Sequence, residues 1–365
     1  MNILLIRLRL LGDVVFTTPA VRALRRRFPD AKLTYLVEPP AAPVVRSNPH
    51  LDAVIVSPRL RGLARVVEDA SLAARLRAQR FDLVIDFHGG PRSSWLCAAT
   101  GAPDRVGYTI AGRSWSYTRR IPRAPELRAR HSVQCQWDLL SGFDPAFGQP
   151  DPATDAVEMP EEPAAAAVVA ARLRAAGIDD QPLIVIHVSA GNPFRRWPVA
   201  AFVETIAELA RADANRRILV TAGPSEESAR HRVQHEARER LGPRRDAVPD
   251  AGEFDLPELR ALLGRAALFI GGDTGPLHVA ATTPVPIVGL YGPTLSARSR
   301  PWRHPALATE AVELADLACR PCDQRVCEPG DYRCLTTLHT GAVVEAAERA
   351  LARSDTRYPS QSAVS

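Results

Sequence analysis

A glycine-rich turn, an arginine pair and an early aspartate are the groups in this chain whose spacing fits transfer chemistry on a phosphorylated substrate. The turn is Gly271-Gly272-Asp273-Thr274-Gly275-Pro276-Leu277-His278, set between an apolar run at 267–270 and an apolar stretch from Leu277 onward. Its three glycines allow a sharp bend and close backbone approach to a ligand. Free amides at the start of the following helix then face an anion that the helix dipole favours. Asp273 is placed to tie the loop by accepting its N–H groups, and His278 sits one turn into the helix on the same side. The same residues equally fit a capped turn with a packed histidine. A second segment, Ser189-Ala190-Gly191-Asn192-Pro193-Phe194-Arg195-Arg196-Trp197-Pro198, again joins strand to helix. It carries two guanidinium groups suited to phosphate oxygens, or is a surface loop over a packed Trp197. A third, Gly223-Pro224-Ser225-Glu226-Glu227, puts Glu226 where ribose hydroxyls bind in nucleotide folds, although glutamates at a helix start are also ordinary caps.

Near the N-terminus an apolar run at 2–7 leads through Leu8-Arg9-Leu10-Leu11-Gly12-Asp13 into a helical pattern. Asp13 therefore stands at the carboxyl edge of a first sheet. Glycosyl transfer to an alcohol needs a base at the acceptor hydroxyl and a stabilised diphosphate leaving group. Asp13 and the glycine-rich turn fit those two roles, and Asp13 also fits a plain N-cap.

The elements that must position these residues read as two α/β series. In the first, strands are expected at 2–7, 32–37, 53–56 and 81–86, with helices at 14–28 and 70–79. Their apolar residues run continuously rather than alternating, which implies parallel sheets covered on both faces. Residues 108–130 lose the pattern in favour of Arg, Ser, Pro and Tyr and read as an exposed functional loop region. A Pro-, Asp-, Glu- and Gly-rich stretch at 148–163 reads as a linker. The second series has helices at 164–176, 199–212, 226–241, 256–265 and 277–281, and strands at 183–187, 218–221, 267–270 and 286–291. The expected fold is α/β, with two doubly wound Rossmann-like domains, 1–160 and 161–350, facing each other across a cleft where ligands bind. Residues 351–365 are expected to form a disordered tail.

Composition bounds the function. With 365 residues, 46% apolar and 24% charged, the chain is long enough for two cores. A net charge of +5 is too mild for a nucleic-acid binder. Lys32 is the only lysine, so nearly all positive charge is arginine. Arg7, Arg9 and Asp13 interrupt the apolar N-terminus, which argues against a signal peptide. No run approaches the ~20 apolar residues of a spanning helix, so the expected location is cytoplasmic, touching a membrane from outside. Cys319, Cys322, Cys327 and Cys334 form a C-x2-C-x4-C-x6-C array. That spacing fits structural zinc, reduced packing thiols or a disulfide pair. Cys97 and Cys135 read as buried thiols.

Taken in order, these pieces resemble the heptosyltransferase family, the ADP-heptose-dependent glycosyltransferases of lipopolysaccharide core assembly. The resemblance rests on Ile3-Leu4-Leu5-Ile6-Arg7 with Leu11-Gly12-Asp13 and Thr18-Pro19-Ala20. It continues through Asp86-Phe87-His88-Gly89 with Arg92-Ser93, Arg105-Val106-Gly107-Tyr108 and Arg195-Arg196-Trp197-Pro198. Its most specific part is Gly272-Asp273-Thr274-Gly275-Pro276-Leu277-His278. It implies a GT-B fold and inverting, metal-independent transfer with Asp13 as general base and no required cofactor. It also implies donor contacts at Gly12, Ser189, Gly191, Asn192, Arg195, Arg196, Asp273, Thr274, Gly275, Pro276 and His278. Glu226 is implied at the ribose, and the backbone near Phe254 at the adenine. The family often has lysine at the position of Arg195, and the two are not equivalent at a phosphate. The expected donor is ADP-heptose and the expected acceptor an anionic lipopolysaccharide precursor. For that acceptor, Arg113, Arg119, Arg120, Arg123, Arg128 and Arg130 are candidate contacts or a solvated basic surface. A monomer is expected. The same fold also suits a transferase using another nucleotide sugar, or a non-catalytic nucleotide-sugar-binding relative.

Overall fold

The computed structural model describes residues 1–123, 129–188 and 190–355. Ser189, Arg128 and residues 356–365, on which expectations fall, lie outside the described residues. The chain divides into two compact units, Met1–Pro160 and Glu161–Ser365.

The first unit runs β1 (Asn2–Ile6), α1 (Leu11–Val15), α2 (Thr18–Arg27), β2 (Lys32–Val37), α3 (Ala42–Arg46), β3 (Ala53–Val56) and α4 (Gly62–Ala78). It continues with β4 (Leu83–Asp86), α5 (Pro91–Ala99), β5 (Asp104–Tyr108), β6 (Arg119–Ile121) and α6 (Ser132–Phe143). Its sheet has the order β3-β2-β1-β4-β5-β6, and every pair is parallel. The expected single helix at 14–28 is two helices. Thr17 and Thr18 turn their hydroxyls back onto the carbonyls of Val14 and Val15, and Pro19 follows. That back-bonding, with a proline just inside a helix start, separates the two turns. The region expected to be a loop at 108–130 contains the edge strand β6. The stretch expected to be a linker is anchored to α2, because its acidic residues meet that helix's arginines. Glu158 pairs with Arg22, and Asp155 with Arg26 at 2.5 Å.

The second unit runs α7 (Pro163–Ala175), β7 (Leu183–His187), α8 (Val199–Ala212), β8 (Arg217–Thr221), α9 (Glu227–Leu241), α10 (Leu256–Arg265), β9 (Leu268–Gly272) and α11 (Gly275–Ala280). It ends with β10 (Ile287–Tyr291), α12 (Ser296–Ser299), β11 (Thr309–Glu313), α13 (Arg333–Thr336) and α14 (Thr340–Asp355). The sheet order is β11-β10-β9-β7-β8, again all parallel. Residues 351–355, expected within the tail, are helical. They extend the amphipathic α14, whose Val343, Ala346, Ala347 and Ala350 are buried in the unit's core.

Both sheets reverse their direction of winding once. In the first the chain moves from β1 outward to β2 and β3, then returns to place β4 on the other side of β1. In the second it moves from β7 to β8, then places β9 on the other side of β7. At such a switch point the two connecting loops leave in opposite directions and open a crevice beyond the strand carboxyl ends. The loops after β1 and β4, and those after β7 and β9, carry the motifs singled out in the sequence. Beneath them the cores are ordinary: Leu4, Ile6, Leu36, Leu76, Phe81 and Val84 in the first unit, and Ile184, Ile186, Phe202, Ile218, Ile270 and Leu290 in the second.

Candidate active site

In the first unit, β1 delivers Arg7 and then Asp13, in the first turn of α1, to the carboxyl edge. Arg7 forms an ion pair with the Asp13 carboxylate and donates from Nη1 to the carbonyl of Phe87 at 2.5 Å. The Asp13 side chain remains about one-third exposed. It is held in direction by Arg7 yet open to a ligand. Gln136 fixes the backbone below it, donating to the Asp13 carbonyl at 3.3 Å. Gly12 is buried against the fold in the same turn.

The loop after β4 is organised by Asp86, which is fully buried. Its carboxylate accepts from the amides of His88 (2.9 Å) and Gly89 (3.0 Å), from Ser93 Oγ (2.9 Å) and from the Tyr117 hydroxyl (2.7 Å). Burial raises the Asp86 pKa against those hydrogen bonds. Gly89 adopts φ +63°, the left-handed conformation that glycine enters without strain. Arg113 donates to the Gly89 carbonyl at 2.9 Å and so braces this loop. His88 places Nδ1 3.2 Å from the Arg9 carbonyl. Burial, aided by the Arg7 charge, pushes its pKa down to about 4, so it is neutral at physiological pH.

Beside this loop lies a cavity of about 530 Å³ lined by Arg9, Arg59, Arg61, Arg65, Arg92 and His88 among others. Arg92 is engaged by Asp69 at 2.6 Å and Glu38 at 3.3 Å, and Arg65 by Asp69 at 3.4 Å. Arg59 and Arg61 form no ion pair among the described residues. The cavity is therefore a net cationic receptacle. The described arginines at 113–130, expected as acceptor contacts or a solvated basic surface, lie elsewhere. The structure ties Arg119 to Asp104 at 3.0 Å, at the amino end of β5, and stacks it on Phe143. It leaves Arg120 on the edge strand, Arg123 over the Tyr108 ring and Arg130 on Asp138. None of these lines the cavity. The missed arginines follow the carboxyl end of β3, and that position was the available signal.

In the second unit, the glycine-rich turn leaves β9 and enters α11 at Gly275, with extended Thr274 as its N-cap and Pro276 in the first turn. Asp273 is the hub of this turn. Its Oδ2 accepts from Thr294 Oγ1 at 2.5 Å and lies 3.3 Å from Arg195 Nη1, while His278 Nε2 stands 3.6 Å from Oδ1. Burial alone raises this carboxyl, but His278, Arg195 and Thr294 outweigh it and hold the pKa at about 2. Asp273 ties the loop through side chains, not through the loop amides as expected from sequence. The amides of Thr274 and Gly275 precede any intrahelical acceptor and remain available.

The segment after β7 closes on that hub. Arg195 Nη1 donates to the Asp273 carbonyl at 2.7 Å, and Arg195 Nε to Gln324 Oε1 at 2.8 Å. Asn192 donates to the same Gln324 oxygen at 2.8 Å and caps its own turn by accepting from the Phe194 amide. Gln324 has φ +60°, a conformation that costs a non-glycine residue and persists only where surroundings impose it. Arg196 reaches Glu226 at 3.4 Å and the Ala190 carbonyl at 2.9 Å. Trp197 packs beneath, edge-on to Phe202, with its indole N–H on the Leu338 carbonyl. Gly191 lies exposed in this loop with open space at its Cα. A crevice nearby is lined by His187, Thr221, Ala222, Gly252, Phe254 and Leu259. Arg172 covers the Phe254 ring, and burial lowers the His187 pKa to about 4. Asn192, Arg195, Gln324, Asp273 and His278 are thus joined in one polar cluster, Arg196 and Glu226 form a separate pair on the same segment, and Phe254 belongs to the adjoining crevice.

Cys319, Cys322, Cys327 and Cys334 are free thiols, so no disulfide joins them. Among the described residues no group of three or more His, Cys, Asp or Glu side chains converges as a metal set. Burial raises the Cys334 thiol pKa. Other contacts order the segment: Arg320 binds Glu313 at 2.7 Å and the Thr294 carbonyl at 2.8 Å, and the Cys322 amide donates to Pro293.

This geometry has counterparts. The model of glycosyltransferase family 9 (heptosyltransferase) matches residues 70–332, well over half of the chain. The chain belongs to that family. Lipopolysaccharide heptosyltransferase 3 of Escherichia coli is 27% identical over 327 residues, covering 87% of this chain and 91% of its own. A glycosyl transferase family 9 structure from Veillonella parvula superposes with TM-score 0.80 at 22% identity, covering 96% of this chain and 97% of that one. The E. coli heptosyltransferase WaaC with ADP superposes with TM-score 0.66 at 21% identity, covering 96% and 100%. The fold of this family 9 member is accordingly GT-B, with two Rossmann-like units. Among its described residues no helix is long and apolar enough to cross a membrane.

Proposed function

We propose that this chain is an inverting glycosyltransferase that moves a heptose from ADP-heptose to a hydroxyl of an anionic lipopolysaccharide inner-core precursor, without a metal. The supporting observation is the Asp273 hub, which fixes Arg195 beside the amides of Thr274 and Gly275. Arg195, Arg196 and those amides hold the diphosphate, with Gly191, Asn192, Pro276 and His278 shaping its walls. Glu226 holds the ribose, and the backbone near Phe254 contacts the adenine. As the glycosidic C–O bond breaks, negative charge develops on ADP. Fixed cations and amides stabilise that charge more than the ground state, which lowers the barrier. Asp13, aimed by Arg7, removes the acceptor hydroxyl proton while that oxygen attacks the anomeric carbon from the side opposite the leaving ADP. The configuration inverts, the proton ends on Asp13, and ADP departs.

The cationic cavity at Arg9, Arg59, Arg61, Arg65 and Arg92 suits the anionic groups of such a precursor, and Arg113 positions the loop beside it. The relative of known name acting on lipopolysaccharide and the ADP-bound solved structure support both halves of the reading. Calorimetry of the full chain against ADP-heptose, UDP-sugars and GDP-sugars tests the donor. Binding confined to ADP-heptose and ADP supports the assignment. Preference for a UDP- or GDP-sugar overturns it in favour of another nucleotide sugar.

A further inference from the structure

Helix α4 carries apolar residues in both its first and its last turns, and only the later ones are used by the fold. Leu72, Ala73 and Leu76 are buried in the core of the first unit. Leu63, Val66 and Val67 are 78%, 63% and 63% exposed. Their i, i+3, i+4 spacing gathers them on one side of the first two turns, which stand clear of the core that receives the later residues. Leu60 extends this surface toward the helix start, and residues 59–67 are exposed without a break. Contiguous exposed aliphatic side chains of this kind mark an interaction surface rather than ordinary scatter.

The charges around the patch select its partner. Arg59 and Arg61 flank the apolar side chains and form no ion pair among the described residues. The acidic neighbours are already engaged: Glu68 by Arg75 at 3.0 Å, and Asp69 by Arg92 and Arg65. A short aliphatic face bordered by free arginines matches an interface of anionic headgroups over acyl chains. Arg59, Leu60, Arg61 and Arg65 also line the cationic cavity, so the patch and the cavity form one continuous surface.

We infer that the first turns of α4 dock on an anionic lipid bilayer, with Leu63, Val66 and Val67 entering the acyl boundary and Arg59 and Arg61 on headgroup phosphates. The inference rests on the functional reading above, since a lipid-borne acceptor then enters the cavity directly from the membrane to which the enzyme is bound. Vesicle flotation of the full chain tests it, using phosphatidylglycerol/phosphatidylethanolamine vesicles against phosphatidylcholine alone. The wild type floats with the anionic vesicles, and less so in about 1 M salt, where the screening length falls to ~3 Å. The Leu63→Glu/Val66→Glu/Val67→Glu variant binds those vesicles at least about tenfold more weakly. It keeps its melting curve, its ADP affinity and its turnover on a deacylated, water-soluble acceptor.

Absence of wild-type binding, or equal binding by the variant, overturns the inference. So does a wild-type dimer in sedimentation that the variant dissociates, because the face is then covered by a second copy. Failure of ADP-heptose binding alongside intact, variant-sensitive vesicle binding overturns the functional reading while supporting this surface.

Discussion

Replacing Asp273 with asparagine removes one charge from a site where almost nothing else changes in shape. The carboxylate is buried, and its pKa is lowered from 3.8 to about 2 despite that burial. A shift of nearly two units corresponds to about 2 kcal/mol of preferential interaction with the charged form. Removing one partner of a buried ion pair costs about 3–5 kcal/mol when the other is stranded. Arg195 is not wholly stranded, because it keeps Gln324 and the Asp273 carbonyl. The expected loss of stability is therefore about 2–3 kcal/mol. ADP affinity should fall about tenfold, because Arg195 loses its lateral restraint. Since the folded pKa is depressed, the carboxylate's contribution is present above about pH 4 and is lost as pH falls through about 2. Urea unfolding of wild type and Asp273→Asn should give a constant difference at neutral pH that shrinks in acid, with calorimetry reporting the ADP affinity. Stability within about 0.5 kcal/mol of wild type together with unchanged ADP affinity would refute the hub.

Three further outcomes follow from the same geometry. Gln324→Ala removes the acceptor shared by Asn192 and Arg195, each at 2.8 Å; at about 1 kcal/mol per hydrogen bond, ADP should bind about ten- to thirtyfold more weakly in calorimetry, and unchanged binding would deny Gln324 a positioning role. Arg61→Ala should raise the acceptor KM about tenfold or more while leaving ADP affinity untouched, and steady-state kinetics with varied acceptor separate the two. His187 is buried with its pKa lowered to about 4, so unfolded chains take up its proton first and stability falls as pH drops from about 6.5 to about 4, by up to about 3 kcal/mol. His187→Asn should flatten part of that pH slope in thermal melts, whereas an identical slope contradicts a neutral buried imidazole.

Much of this molecule is readable from sequence because its parallel strands are buried on both faces. Residues 183–186 and 3–6 are continuous apolar runs, and the strand–turn–helix motif at 272–278 carries its glycines and proline where local geometry demands them. Elements with weak local signals were harder to see. The edge strand Thr309–Glu313 holds two glutamates and a threonine around only two apolar residues, and Pro91–Ala99 begins with polar residues at the end of a loop. The basic cavity escaped notice because Arg59, Arg61 and Arg65 look like a solvated charge run until β3 and α4 bring them beside His88. The more conspicuous arginines at 119 and 130 are consumed by Asp104 and Asp138. Gln324 has no local signature at all. Its importance comes from contacts with residues more than 100 positions away.

Transfer itself is the most direct test of the account. Wild type and Asp13→Ala are incubated with ADP-heptose and a panel of lipopolysaccharide inner-core acceptors, following ADP release and the mass of the product. The account predicts one heptose added per ADP released by the wild type, with inverted anomeric configuration. It predicts a fall in turnover of roughly two to four orders of magnitude in Asp13→Ala, with ADP-heptose affinity unchanged. No heptose on any acceptor despite tight donor binding, or full turnover without the Asp13 carboxylate, would contradict it.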